Sequence, residues 1–284
     1  MTFTTRFAPS PTGPLHLGHA YSALLAHDLA RSENGHFLLR IEDIDASRSR
    51  DAWRTQILDD LTWLGITWDA SPVSQITRLL QYRACLQTLW DRGLLFACTC
   101  TRRDILEAAN APQEEAQMGP DGVIYPGTCR RQKSDLLGAD LPDAALRLDI
   151  AKAGECVTFP IHFKDACKTP DFKEITLQQA VDELGDIVLA RRDMGTSYHL
   201  SVVLDDAFQN ITHVVRGEDL FEATSIHVLL QNLLGLPTPN YHHHPLIRDE
   251  HGKRLAKRDD ARALSKFRAE GASPQDIRRM VGLA

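Results

Sequence analysis

Pro11-Thr12-Gly13-Pro14-Leu15-His16-Leu17-Gly18-His19 is the stretch on which the reading of this chain turns. Thr4-Arg6-Phe7 before it reads as extended, and Ala8 to Pro14 is turn-rich, since proline fixes φ and glycine relaxes it. After it, Leu17, Ala20, Tyr21, Leu24, Leu25 and Leu29 recur at helical spacing, and Asn34-Gly35 closes that helix. Phe37-Leu38-Leu39-Arg40-Ile41 follows, a short apolar run ending in the acids Glu42, Asp43 and Asp45, which fits a buried parallel strand. Further helices are predicted from Ser47 to Leu64, with Trp53, Ile57, Leu61 and Leu64 on one face, and from about Gln75 to Arg92, carrying Leu79, Tyr82, Leu86 and Leu89. Strand alternating with helix predicts an α/β fold with a doubly wound parallel sheet.

The alternation breaks at Cys98. From there to about Asp182 the chain is richer in proline, glycine and isolated charges, with strand-like pieces at Ala145–Leu148 and Val157–Phe163 and an acidic surface loop at Asn110–Val123. This predicts an insertion. The α/β pattern resumes with strand-like Ile187–Leu189, Leu200–Leu204 and Ile211–Val215, then a helix from about Glu222 to Leu234 ended by Gly235 and Pro237. After His242-His243-His244-Pro245 come a short strand, a basic loop and one or two terminal helices. The expected division is 1–97 and 185–260 as two halves of one catalytic domain, 98–184 as the insertion, and 261–284 as a short helical C-terminal segment.

Composition narrows the class. The 284 residues are 43% hydrophobic and 25% charged, which excludes collagen-like and wholly disordered chains. No run of eighteen apolar residues offers a membrane span, and Met1 to Arg6 lacks a signal-peptide pattern, so a cytoplasmic protein is expected. No heptads or other assembly element is legible, which predicts a monomer. The net charge of −6 argues against a nucleic-acid binder built on bulk positive charge. Residues 248–284, however, hold ten Lys and Arg against six Asp and Glu, a basic end on an acidic body that suits local phosphate contact or a solvated helix equally. Six cysteines without a secretion signal do not predict disulfides; Cys98 and Cys100 form a C-x-C that suggests metal, while Cys85, Cys156 and Cys167 read as ordinary thiols.

Two segments carry chemistry. His16 and His19, three apart at a helix start, can both face a ligand above the sheet, and Gly18 lets a flat ring or phosphate approach the backbone. The helix's unpaired N–H groups and positive dipole end favour a polyphosphate. Capping or metal binding is the plainer reading of a bare H-x-x-H. The glycine-led loop Gly252-Lys253-Arg254-Leu255-Ala256-Lys257-Arg258 can close over a triphosphate, where one cation near one phosphate oxygen is worth roughly 4 kcal/mol at an effective dielectric of 20. Alone, such a loop is more often a solvated basic turn.

In this order on an interrupted α/β scaffold, the two segments resemble the HIGH and KMSKS signatures of class I aminoacyl-tRNA synthetases. Arg6 to Gly13, Leu39 to Asp43, Asp193 to Asp206 with Tyr198 and the pair Asp205-Asp206, and Val214 to Asp219 are similar to the glutamyl-tRNA synthetase catalytic core. Only 27 residues follow Lys257, too few for an anticodon-binding domain, so the chain resembles the shorter glutamyl-queuosine tRNA(Asp) synthetase paralogues. The resemblance implies a Rossmann-like catalytic domain interrupted by a zinc-binding insertion. It implies ATP, with Mg2+, as the activating substrate. It implies L-glutamate transfer to queuosine at the wobble position of tRNA(Asp), the RNA entering by its anticodon arm.

The same resemblance assigns roles. His16, Gly18, His19 and Lys257 would hold ATP, with His16, His19 and Lys257 acting in catalysis. Arg6, Phe7, Ala8, Pro9, Ser10, Glu42, Tyr198 and Arg216 would form the glutamate site, the arginines pairing with carboxylates and Glu42 with the ammonium. In isolation Glu42 reads as a solvated strand-end acid and Arg216 as a structural ion pair. Cys98, Cys100, Tyr125 and Cys129 would bind one structural zinc. The basic loop departs from the family pattern at Arg254 and Ala256, the latter removing a hydroxyl. Arg262, Lys266 and Arg268 are expected phosphate contacts. Three alternatives remain: a truncated enzyme charging a tRNA 3′ end, a small nucleotidyltransferase using no tRNA, and a catalytically impaired RNA-binding paralogue.

Overall fold

The computed structural model describes residues 2–109, 116–130, 140–247 and 262–283. The first half runs β1 (Thr4–Phe7), α1 (Leu17–Ser32), β2 (His36–Ile41), α2 (Asp51–Trp63), β3 (Val73–Ser74), a 3-10 turn, α3 (Leu79–Asp91) and β4 (Leu95–Cys98). The middle holds α4 (Arg102–Ala109), β5 (Met118–Gly119), β6 (Gly122–Val123), β7 (Ala145–Leu148), α5 (Ile150–Gly154), β8 (Ile161–Lys164), β9 (Phe172–Ile175) and the short turn α6 (Leu177–Gln179). Then come β10 (Val188–Ala190), α7 (Tyr198–Phe208), β11 (His213–Gly217), α8 (Thr224–Leu234), β12 (Asn240–His244), α9 (Leu264–Ala269) and α10 (Pro274–Met280).

β1, β2 and β3 pair in parallel, as do β11 and β12. The two sets meet where Thr212 N donates to Thr4 O at 3.0 Å and Thr4 N donates to Thr212 Oγ1 at 2.8 Å. The strand order is therefore 3-2-1-11-12, with chain direction reversing its march across the sheet between β1 and β11. Ligands of open α/β sheets bind at such a switch point, beyond the strands' carboxyl ends. The turn into β2 is tight: Asn34 takes a left-handed φ of 50°, and a Cβ on Gly35 would sit 2.2 Å from Phe3 O.

A second, antiparallel sheet has the order β10-β7-β4. It crosses both the 97/98 and the 184/185 boundaries, because β4 and β10 lie in the two halves and β7 between them. α9 and α10 are not an appendage: Leu264, Ile277 and Val281 are buried in one cluster with Ala20, Leu24, Ile57 and Leu61. One sequence expectation is corrected. Leu200–Leu204 is not a strand but the middle of α7, whose Ser197 caps the helix by accepting from Leu200 N. Leu200, Ser201, Val202 and Val203 are all buried, so the periodicity that separates helix from strand is missing from the sequence.

Candidate functional site

A cavity of about 400 Å³ opens at the carboxyl ends of β1 and β11. Arg6, Phe7, Ala8, Ser10, Thr12, His16, Gly18, His19, Glu42, Tyr198 and Arg216 all line it, joined by Ser22, Gly217, Asp219, His244, Leu246 and Ile247. Pro9 does not; it is buried, and its carbonyl accepts from Glu42 N at 3.0 Å, tying the ends of β1 and β2 together. Lys257 and the rest of the basic loop fall within 248–261, outside the described residues. Its flanks are informative: Ile247 lines the cavity, while Ala263 bridges to His16 and Leu264 N donates to Leu15 O at 2.8 Å.

His16 and His19 satisfy both the functional and the plain reading. His16 Nδ1 accepts from Gly18 N at 3.1 Å, and His19 Nδ1 accepts from His16 N at 3.2 Å, a reciprocal cap on α1. With both Nδ1 atoms accepting, each neutral ring carries its proton on Nε2, a donor suited to phosphate oxygen. The rings lie 3.8 Å apart between centroids. A Cβ on Gly18 would press the His16 imidazole at 3.1–3.2 Å, so this glycine protects the cap as well as lining the cavity.

Beneath the cavity floor lies a buried charge network that motif reading did not resolve. Arg6 Nε donates to Asp206 Oδ1 at 3.0 Å, and fully buried Arg40 donates to Asp206 at 2.7 Å and to Glu42 Oε1 at 3.2 Å. Asp205 accepts from Gln75, Arg78 and Tyr82 at 2.9, 2.6 and 2.7 Å. Three arginines balance three carboxylates, which is how charge survives without water; removing one partner of such a set costs about 3–5 kcal/mol. Burial alone would push Asp206 up, but Arg6 and Arg40 outweigh it and hold its carboxyl below the usual range. At Glu42 burial wins over Arg40 and Arg6, and the carboxyl is pushed above its usual range.

Arg216 is built differently. Its fork donates to His243 Nε2 at 3.0 Å, His227 Nδ1 at 3.1 Å and Thr224 Oγ1 at 2.6 Å, all neutral groups. Among the described residues no carboxylate pairs with it, so the expected structural ion pair is absent there and present at Arg6 instead. A buried cation facing a cavity without a counter-ion is a carboxylate or phosphate receptor in waiting. Burial and the Arg216 charge push His243 down to about 4 and His227 well below its ordinary value, so neither ring adds charge. Tyr198 brings its hydroxyl to the same wall, its pKa raised by burial. His244, beside Ser22 Oγ at 2.7 Å, also faces the cavity; its place in the triple-histidine run was the only sequence signal for it.

A separate cluster forms where β4 ends. The sulfurs of Cys98, Cys100 and Cys129 lie within 4.8 Å of one another. Tyr125 Oη sits 3.5 Å from Cys98 Sγ and 3.6 Å from Cys100 Sγ, and Cys100 Sγ is 3.4 Å from Cys129 Sγ. Two sulfurs at tetrahedral zinc bond lengths stand about 3.8 Å apart, so four donors at this spacing fit a closed tetrahedral ion. Burial raises the Cys129 thiol, yet hydrogen bonds from Tyr125 and Thr99 outweigh it and bring it to about 7. The Arg147 guanidinium lies 4.0 Å over the Tyr125 ring, favouring electron density on that phenol. Cys85, Cys156 and Cys167 take no part.

Residues 2–284 match the family described as tRNA synthetases class I (E and Q), catalytic domain. A Glutamyl-Q tRNA(Asp) synthetase of Rhodobacter capsulatus is 62% identical over 283 residues, covering 98% of this chain and 99% of that protein. A Glutamate–tRNA ligase of a Synechococcus species is 38% identical over 277 residues, covering 96% of this chain and 56% of the ligase. Among solved structures, a glutamate tRNA ligase of Elizabethkingia meningosepticum in complex with its amino acid aligns at a TM-score of 0.78 and 25% identity. That alignment covers 100% of this chain, which spans 61% of the ligase. The signature segment, the switch-point cavity and these matches together make the chain a member of the class I tRNA synthetases, in the branch whose catalytic domain is shared by the glutamate and glutamine enzymes.

Proposed function

We propose that this chain activates L-glutamate with ATP and transfers it to the queuosine base at the wobble position of tRNA(Asp). The observation that carries the reading is the 62% identity, over 99% of its length, to a Glutamyl-Q tRNA(Asp) synthetase. The cavity supports the first half-reaction. The glutamate α-carboxylate attacks the α-phosphorus of ATP, the bond to the β-phosphate oxygen breaks, and pyrophosphate leaves. That step needs alignment and charge neutralisation, and no covalent nucleophile on the enzyme. Arg216 receives a substrate carboxylate with Tyr198 beside it, and Glu42 receives the ammonium. Arg6, committed to Asp206, contributes the remainder of its fork, while Phe7, Ala8 and Ser10 wall the site. His16 and His19 donate from Nε2 to ATP phosphates around Gly18, and Lys257 neutralises departing pyrophosphate, with Mg2+ as the nucleotide's counter-ion.

We assign the Cys98, Cys100, Tyr125 and Cys129 cluster to one structural zinc within a 98–184 insertion, between catalytic halves 1–97 and 185–260, with 261–284 as a helical end. A closed four-donor site leaves no position for substrate, so the ion would hold the ends of β4 and the β6 loop together. We further propose that the enzyme acts in the cytoplasm as a monomer. Elemental analysis of protein purified without a histidine tag should find one zinc per chain; less than a tenth of an equivalent rejects the assignment. The functional test is transfer of labelled glutamate to queuosine-containing tRNA(Asp), to tRNA(Asp) without queuosine, and to tRNA(Glu). Label is expected on the first alone. Label at the 3′ end of tRNA(Glu), with none on queuosine, would mean a charging enzyme.

A further inference from the structure

Arg216 owes its orientation to Thr224 and two histidines, and one of those histidines, whose Nε2 also lies 3.0 Å from Thr224 Oγ1, leads to a buried carboxylate outside the cavity. Asp165 follows β8, in the loop that reaches β12 through a bridge to Tyr241, where Ala166 N donates to Tyr241 O at 2.9 Å. Its Oδ1 accepts from Cys167 N at 2.9 Å and His243 N at 3.3 Å, and its Oδ2 bonds His243 Nδ1. The side chains of His243 and Asp165 are 0% and 2% exposed, so water does not compete for these bonds.

A guanidinium only donates, so the His243 Nε2 that meets Arg216 must offer a lone pair. The proton of the neutral ring then sits on Nδ1, aimed at Asp165. The carboxylate, accepting from every side, is what fixes that tautomer. We propose that Asp165, acting through His243, is a positioning residue that holds the Arg216 fork for the substrate carboxylate. The proposal rests on the reading of Arg216 as the glutamate receptor. His227 is steered alike from the opposite side: its Nε2 lies 3.1 Å from His199 Nδ1, and His199 Nε2 lies 3.4 Å from Asp121 Oδ1.

Asp165→Asn isolates the effect, because an amide has one accepting and one donating end. The accepting end is claimed by the two backbone N–H groups, which cannot turn. The NH2 end then faces His243 Nδ1, driving the ring proton to Nε2 and against the Arg216 N–H. A wrong tautomer in otherwise intact geometry is known to be costly in hydrolytic triads.

Glutamate-dependent ATP–pyrophosphate exchange by the full chain should show the D165N glutamate KM raised at least tenfold, with ATP KM and kcat within about twofold. In 15N-histidine NMR, His243 should carry Nδ1–H in the parent and Nε2–H in D165N. In D165N/H243Q the glutamine oxygen can face Arg216 whatever the amide at 165 does, so most of the lost glutamate KM should return. Equal rises in both KM values, an additive or worse double variant, or Nε2–H in the parent overturns the proposal. Should D165N fail to fold, H243L, which removes the acceptor, carries the same expectation of a selective glutamate KM rise, and a rise shared with ATP overturns it. A parent chain without glutamate-dependent exchange rejects the reading of the site, while the tautomer measured in D165N still decides this one.

Discussion

At the scale of single residues, Glu42 shows how one side chain's surroundings set its behaviour. It stands at the end of β2, held by Arg40 at 3.2 Å, yet burial pushes its carboxyl above the usual range. Only the ionised form attracts an ammonium. Glutamate kcat/KM should therefore fall as pH drops through this raised pKa, beginning at higher pH than an exposed glutamate would allow. Glu42→Gln should raise the glutamate KM about 10–100-fold, the worth of a charged hydrogen bond of roughly 1.5–3 kcal/mol, and should flatten that acidic limb. An unchanged pH profile in E42Q would remove Glu42 from the ammonium site. Motif and resemblance reading located Glu42, Arg6 and Arg216 but not what each is bonded to. Asp206 lies two hundred positions from Arg6, and nothing in either local sequence distinguishes an arginine with a carboxylate partner from one without. That distinction, which inverted the plain reading of Arg216, exists only once β1 and α7 are packed together.

At the scale of elements, α2 carries an unusual burden. Asp60 is 1% exposed, one carboxylate oxygen has no hydrogen-bond partner, and burial together with neighbouring Asp59 pushes its carboxyl to about 6. The folded chain thus holds this proton more tightly than the unfolded one. Its contribution to stability is complete below the unfolded value of 3.8 and is lost as pH rises through about 6. Asparagine does not titrate, so Asp60→Asn should stabilise the protein by about 1–2 kcal/mol at pH 8 and scarcely at all at pH 4. Thermal unfolding at the two values checks it, and a gain of equal size at both would point to packing instead. Elements with one wet face were legible from spacing, and α1 and α3 lie close to their expected limits; buried β2 was legible instead from the turn before it and the acids that end it. Other elements surrounded by protein were not. α7 has too little polar contrast for its period to show, and β7 could be recognised as a strand without revealing that it joins β4 to β10.

Across the whole molecule, charge is the property most relevant to an RNA substrate. The chain carries −6 overall, with its basic excess in residues 248–284. Much of that excess is already committed within the described part. Arg262 pairs with Glu270, Arg268 with Asp59 at 2.7 Å, Arg278 with Asp28 at 2.7 Å, and Arg279 with Asp276. Arg268 also lies 5.7 Å over the Trp63 ring. Exposed pairs of this kind contribute about 0–1 kcal/mol, so they can open, but a phosphate must then replace a carboxylate for little net gain. Lys266 is exposed and makes no ion pair among the described residues. Of the three cations expected from sequence to meet phosphate, it is therefore the one positioned to release counter-ions on binding. Titrating tRNA(Asp) binding between 50 and 200 mM salt should give a log–log slope that Lys266→Ala reduces by about 0.7, the contribution of one phosphate contact. Arg268→Ala should change the slope by less than half as much, and should instead lower the melting temperature slightly through loss of its bond to α2. Equal slope changes in the two variants would mean that the Arg268–Asp59 pair opens on binding, and that the C-terminal helices meet RNA along their whole basic edge.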